Sequence, residues 1–135
     1  MIKEVLLIHP IGQAAGCAFG VFNLITGLTR RCFIPALHIN FGVLFYTLMV
    51  FGSGMGVLSA RMAAASGMEL PFSVHRLSAS VVIAVLLSGA VSGFMLLKKS
   101  GPAWIVFLHR YSNIAALALL CVQTATGVRA LAGML

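Results

Sequence analysis

Residues 72–97 read FSVHRLSASVVIAVLLSGAVSGFMLL, a stretch with one formal charge, Arg76, and no acid. A run this long and this apolar matches a helix crossing the roughly 30 Å hydrocarbon core of a bilayer, and it exceeds what a membrane strand needs. Working outward, three more stretches share its character: Val5 to Leu28, Phe33 to Ser59, and Ala103 to Leu131. They are apolar on all sides, whereas a barrel requires many short alternating segments. The sequence therefore predicts an all-α integral membrane protein with spans at about 5–28, 33–59, 72–97 and 103–131. Short connections make consecutive helices antiparallel neighbours, giving a four-helix up-down-up-down bundle and one transmembrane domain over residues 1–135.

Composition agrees. With 61% apolar and 8% charged residues and a mean hydropathy of +1.09, the chain cannot cover a water-facing surface as a soluble domain does. The formal charge is +7. The basic residues gather at the ends of the apolar stretches, where lipid headgroups and topology account for them, so nucleic acid is not an expected partner. The amino-terminal apolar stretch runs on to Leu28 without a convincing cleavage site and is read as a retained first span. Cys17, Cys32 and Cys121 are too scattered for a disulfide framework. No C-x-x-C-H motif attaches a haem covalently.

The breaks carry turn and charge signals: Thr29-Arg30-Arg31, then Ala63 to Pro71 with Gly67 and Glu69, then Lys98-Lys99-Ser100-Gly101-Pro102. Pro10, Pro35, Pro71 and Pro102 all lie near span starts, where a missing N–H costs least. Pro10 fits the first helical position, which puts His9 at the mouth of its span. The two halves also resemble each other. Each opens on a histidine (His9, His75), reaches a basic pair, and then a second histidine (His38, His109). Duplication of a helical hairpin and a constraint shared by both halves each produce this pattern.

Each span thus carries one histidine near its amino-terminal end. Antiparallel alternation places His9 and His75 toward one membrane face and His38 and His109 toward the other. Counting helical rise across each hairpin separates the two levels by about 21 Å in the first and about 24 Å in the second. Ionisable groups inside a bilayer are costly and mark functional positions. Haem iron accepts two axial imidazoles, and a doubly ligated haem suits electron transfer better than oxygen chemistry. Two non-covalent b-type haems follow, ligated by His9 with His75 and by His38 with His109.

Eighteen residues make five helical turns, and the residues eighteen past the histidines are Gly27, Gly56, Gly93 and Gly127. All four are glycine, which suits a flat macrocycle lying between helices near the opposite histidine level. Four residues past the histidines the set is mixed: Gln13, Gly42, Ala79 and Asn113. Taken singly, any of these glycines serves close helix packing equally well, as Gly12, Gly16 and Gly20 can.

One histidine per helix, paired first with third and second with fourth, resembles the cytochrome b561 superfamily and its smaller bacterial four-helix relatives. The resemblance covers nearly the whole chain and rests on His9, His38, His75, His109, the His9-Pro10 start and the pairs His75-Arg76 and His109-Arg110. It implies two b-haems and electron transfer across a membrane, the bacterial inner membrane for the small relatives. Ascorbate is the donor in many eukaryotic members and quinols in some bacterial ones. The chain lacks the two additional outer helices of the eukaryotic pattern, which turns the expectation toward a quinol.

Arg76 and Arg110 suit haem propionates or a substrate oxygen as well as headgroup anchoring. The distribution of basic residues favours short hairpin turns in the cytoplasm and both termini outside. Gln13, Tyr46, Tyr111, Asn113 and Gln123 can bond a haem edge, a quinone or another helix. Three functions compete. The first is a di-haem cytochrome passing electrons from a quinol or other small donor to a redox partner protein or small acceptor, alone, as a homo-oligomer or as a subunit. The second is a membrane anchor of a larger redox complex. The third is a histidine-lined transporter, which the absence of aspartate and of any acid within a span centre disfavours.

Overall fold

The computed structural model describes residues 2–29, 33–67, 73–98 and 101–132, with side chains over 7–29, 33–67, 74–98 and 101–129. Nearly all of these residues belong to α1 (Ile2–Leu28), α2 (Pro35–Ala65), α3 (Ser73–Lys98) and α4 (Ala103–Ala132). The chain is all-α, as predicted. Each helix holds a stretch of 22 to 31 residues long and apolar enough to cross a membrane. At about 1.5 Å per residue these reach roughly 33 to 46 Å, more than a hydrocarbon core requires. Their outer faces carry Ile11, Val50 and Leu77, each about two-thirds exposed or more, as helices bathed in lipid do. The protein is a multi-pass membrane protein.

α1 packs on α2 and α3 on α4, so residues 1–72 and 73–135 form two compact helical hairpins. The charges at Arg30, Arg31, Glu69 and Lys99, together with Cys32 and Pro71, lie outside the described residues, as do the side chains of Lys3 and Glu4.

Two boundaries differ from the sequence reading. α1 begins at Ile2, so Pro10 lies inside the helix and His9 is two turns in rather than at its mouth. The missing N–H of Pro10 deprives the Leu6 carbonyl of its helical donor, a loss membrane helices tolerate. α2 runs past Ser59 to Ala65, because Arg-Met-Ala-Ala-Ala at 61–65 is strongly helix-forming and the exposed Arg61 can sit among headgroups.

α2 starts on extended Ile34 with Pro35 in the first turn, where proline's fixed φ suits the helix. It stops on Gly67, whose φ is +76°. There the Ser66 and Gly67 amides close back on the carbonyls of Met62 and Ala64 at 3.1 Å each, satisfying two otherwise orphaned acceptors. A Cβ at Gly67 meets no neighbour, so Gly67→Ala isolates the backbone cost. It destabilises the protein by about 1 kcal/mol, read by denaturant titration in detergent. Gly67→Asn costs less, since asparagine tolerates the left-handed region better.

Candidate functional site

In a membrane helix apolarity does not mark the buried face, and the buried seam here is marked by small and polar residues instead. α1 packs antiparallel on α2 in matched steps: His9 opposite Gly56, Gln13 opposite Gly52, Gly16 opposite Met49, Asn23 opposite Gly42, Gly27 opposite His38. The steps are of four, three, seven and four residues, the spacing of a helix-pair seam. At every one of these layers a large side chain lies over a glycine. Phe45 and Met49 fill the middle, each about 1% exposed. Gly12 brings the backbones together, a Cβ there lying 3.8 Å from the Gly52 Cα. The second hairpin repeats the scheme. His75 lies over Gly127 and His109 over Gly93, with Val82, Leu86, Ala116 and Leu120 buried between and a Ser88–Ser112 hydroxyl pair at 3.1 Å.

The four distal glycines therefore seat imidazoles. A methyl group would lie 2.8 Å from His38 Cε1 at Gly27, 2.9 Å from His9 Cε1 at Gly56, 2.8 Å from His109 Cε1 at Gly93 and 3.1 Å from His75 Cε1 at Gly127. They clear room for the histidine of the paired helix, a more specific job than clearing space for a macrocycle alone. The contact also fixes the distance between levels. Gly27 and Gly56 lie eighteen residues past His9 and His38, about 27 Å of helical rise, and the second hairpin uses the same spacing. This exceeds the loop-counting values, because side chains tilt toward their helix's amino end and each imidazole sits outside its own Cα. All four histidines are half-buried.

Three of the imidazoles, those of His9, His75 and His109, are oriented by the helix they lie against. His9 donates from Nδ1 to the Gly52 carbonyl at 2.6 Å, and His109 donates from Nδ1 to the Gly89 carbonyl at 3.0 Å. A carbonyl only accepts, so Nδ1 carries the proton and the neutral ring has its lone pair on Nε2. His75 reaches the same tautomer by another route. Its Nδ1 lies 3.1 Å from the Thr126 hydroxyl, which in turn donates to the Gln123 carbonyl at 3.0 Å. The Gln123 amide nitrogen donates to His75 Nε2 at 3.1 Å.

Four residues before each seating glycine stand Asn23, Gly52, Gly89 and Gln123, of which the sequence reading singled out Gln123 alone. These residues, with the set four past each histidine, sort the helices. α1 and α4 read His-x-x-x-amide at one end and amide-x-x-Thr-Gly at the other: His9 to Gln13 with Asn23 to Gly27, and His109 to Asn113 with Gln123 to Gly127. α2 and α3 read His-x-x-x-small and Gly-x-x-x-Gly: His38 to Gly42 with Gly52 to Gly56, and His75 to Ala79 with Gly89 to Gly93. At the site, α1 thus resembles α4 and α2 resembles α3, the reverse of the correspondence drawn from histidine order. Glutamines flank His9 and His75, and asparagines flank His38 and His109.

His9 and His109 fit one feature of haem ligands. Metal-bound histidine characteristically donates its second ring nitrogen to a carbonyl or similar group, which fixes the tautomer and raises basicity, and His9 and His109 are arranged that way. Arg76 and Arg110 are exposed, beside His75 and His109 in the chain. Tyr111 packs on Phe107 with ring centroids 4.2 Å apart, and Tyr46 packs on Phe45 at 5.1 Å. Among the described residues no three His, Cys, Asp or Glu side chains gather to hold a bare metal ion. No family model, curated protein or solved structure matches the chain.

Proposed function

We propose that the chain is a di-haem b-type membrane cytochrome that carries electrons across the bilayer from a quinol to an acceptor on the other side. His9 and His75 are the axial pair of one haem, and His38 and His109 of the other. The observation that carries the reading is the repeated seat. Both ends of both hairpins place an imidazole on a facing glycine, and in His9, His75 and His109 the Nδ1–H is donated so that the Nε2 lone pair can serve a metal. Bound between such pairs, haem iron supplies a one-electron carrier with both axial positions filled.

The residues do the rest. The main-chain carbonyls of Gly52 and Gly89 set ring orientation and strengthen the donor nitrogen. Two levels about 27 Å apart divide the crossing into two sites, and the apolar middle of each seam, Phe45 and Met49 or Leu86 and Leu120, keeps water out between them. Arg76 and Arg110 stand where acidic haem edges or a quinol oxygen meet the interface. The setting is a bacterial inner membrane with the hairpin turns in the cytoplasm. A proton- or metal-transport reading needs a side-chain cluster at one depth, and the histidines of each hairpin lie a membrane's thickness apart.

A dithionite-reduced minus oxidised spectrum of detergent-purified protein, with a pyridine haemochrome assay, tests the proposal. The expected result is a b-type spectrum and about two haems per chain, reducible by a quinol analogue. Folded protein, expressed with adequate haem supply, that carries none would overturn it.

A further inference from the structure

His75 has a carboxamide donor at its Nε2. Gln123, on the facing helix, places its amide nitrogen 3.1 Å from that nitrogen and 3.2 Å from the His75 carbonyl. A carbonyl cannot donate, so the group beside it is the NH2 side of the carboxamide, and His75 Nε2 must be the acceptor. The other end of the carboxamide is fixed as well, because Ser78 donates its hydroxyl to Gln123 Oε1. Gln123 Nε2, His75 Nδ1 and Thr126 Oγ1 each donate in one direction along the chain back to the Gln123 carbonyl, and the Ser78 hydroxyl lies within reach of both Gln123 Oε1 and the His75 carbonyl, the latter at 3.0 Å. A ring of aligned hydrogen bonds of this kind reinforces itself.

Reach explains the bond at this end. Gln13, the glutamine of the matching layer in the first hairpin, sits on the same helix as His9 and turns to the Met49 carbonyl at 3.4 Å. Asn113 likewise shares a helix with its histidine and donates to the His109 carbonyl at 2.7 Å. Gln123 sits across the seam from His75 and Ser78 and is one methylene longer than Asn23, which lies over Gly42.

We infer that Gln123 is a latch on His75: its carboxamide binds the same lone pair a metal would use, which makes His75 the exchangeable ligand of its pair. The inference rests on the haem reading above for its consequence, though not for the hydrogen bond itself. Were a haem held there and an external ligand to replace His75 on it, the released His75 Nε2 lone pair would accept the Gln123 N–H, as it does here. No electron changes hands. A hydrogen bond of ordinary net worth biases this exchange about fivefold.

The test titrates carbon monoxide into the reduced, purified protein and its Gln123→Met and Gln123→Asn variants. Methionine keeps the length and loses the donor, while asparagine keeps the amide and withdraws it. Ser88→Ala, which touches no histidine, is the control. Carbon monoxide binding to one haem of two, weakened about fivefold in both Gln123 variants and unchanged in Ser88→Ala, supports the latch. No binding in the wild type, or equal affinity in all variants, overturns it. Protein that purifies without haem removes the cytochrome proposal. There the His75 Nε2 resonance in a ¹⁵N-histidine spectrum decides: a shift on Gln123→Met supports the latch, and an unmoved resonance overturns it.

Discussion

Gly56→Ala lowers haem content toward one per chain and destabilises the protein, while Gly54→Ala, two residues away on the same helix, changes neither. A Cβ at Gly56 would stand 2.9 Å from His9 Cε1 and 3.0 Å from Nδ1, whereas one at Gly54 meets nothing within 4 Å. The His9 ring cannot retreat cheaply, because its Nδ1 is held at 2.6 Å by the Gly52 carbonyl one turn away. Either the ring leaves that carbonyl, which then lacks its donor in a medium without water, or the helices part and lose contact along the seam. Each route costs about 1 to 3 kcal/mol, and the first also turns the metal-facing nitrogen away. Gly27→Ala and Gly93→Ala behave alike, with closest approaches of 2.8 Å each, and Gly127→Ala is milder at 3.1 Å. Haemochrome assays and denaturant titrations on this series check the order. Equal behaviour of Gly56→Ala and Gly54→Ala would remove any role for the seat.

Much of this was legible in the sequence, for identifiable reasons. Long apolar runs fix helices in a bilayer because backbone groups have no other partner there, so α1 to α4 were readable to within a few residues, the exceptions being the Ile2–Pro10 entry and the 60–65 extension of α2. The histidines stood out because an ionisable group in such a run is rare. Their glycine partners stood out because eighteen residues is a whole number of turns. The seam between was hidden, since helices apolar all round offer no amphipathic stripe to say which face turns inward. Asn23, Gly52 and Gly89 become visible only once the facing helix is in register, and so does the partner of Gln123. A glycine carbonyl that accepts from a histidine has no side-chain signature at all.

The swapped resemblance, α1 with α4 and α2 with α3, follows from packing. A seam layer holds one large side chain, and a carboxamide on one helix requires a small residue on the other, as Gln13 over Gly52 and Asn23 over Gly42 show. One helix of each hairpin therefore carries both carboxamides and its partner carries the small residues. The carboxamide-bearing helix is the first of one hairpin and the last of the other. His9 and His109 share a helix with their carboxamide, while His38 and His75 face one across the seam. Each proposed axial pair thus joins one histidine of each kind.

His9→Leu and His75→Leu each reduce haem from about two per chain to about one, and the His9→Leu/His75→Leu double variant stays at about one. In the proposed pairing both histidines of a pair serve one iron, so removing the second costs nothing further, the non-additivity of residues acting as a unit. His9→Leu/His38→Leu, which breaks both pairs, takes haem to near zero although it also removes two histidines. Leucine suits the surrounding lipid and fills the space over Gly56, Gly27 or Gly127 without a buried polar atom, so the helices persist and the loss is of ligation. The remaining component in His9→Leu and His75→Leu has one midpoint potential, and that in His38→Leu and His109→Leu has the other. The alternative pairing, both histidines of one hairpin on one haem, gives the opposite pattern, with His9→Leu/His38→Leu at one haem and His9→Leu/His75→Leu at none. The roughly 27 Å between levels within a hairpin already stands against that alternative, since two nitrogens on one iron lie only about 4 Å apart.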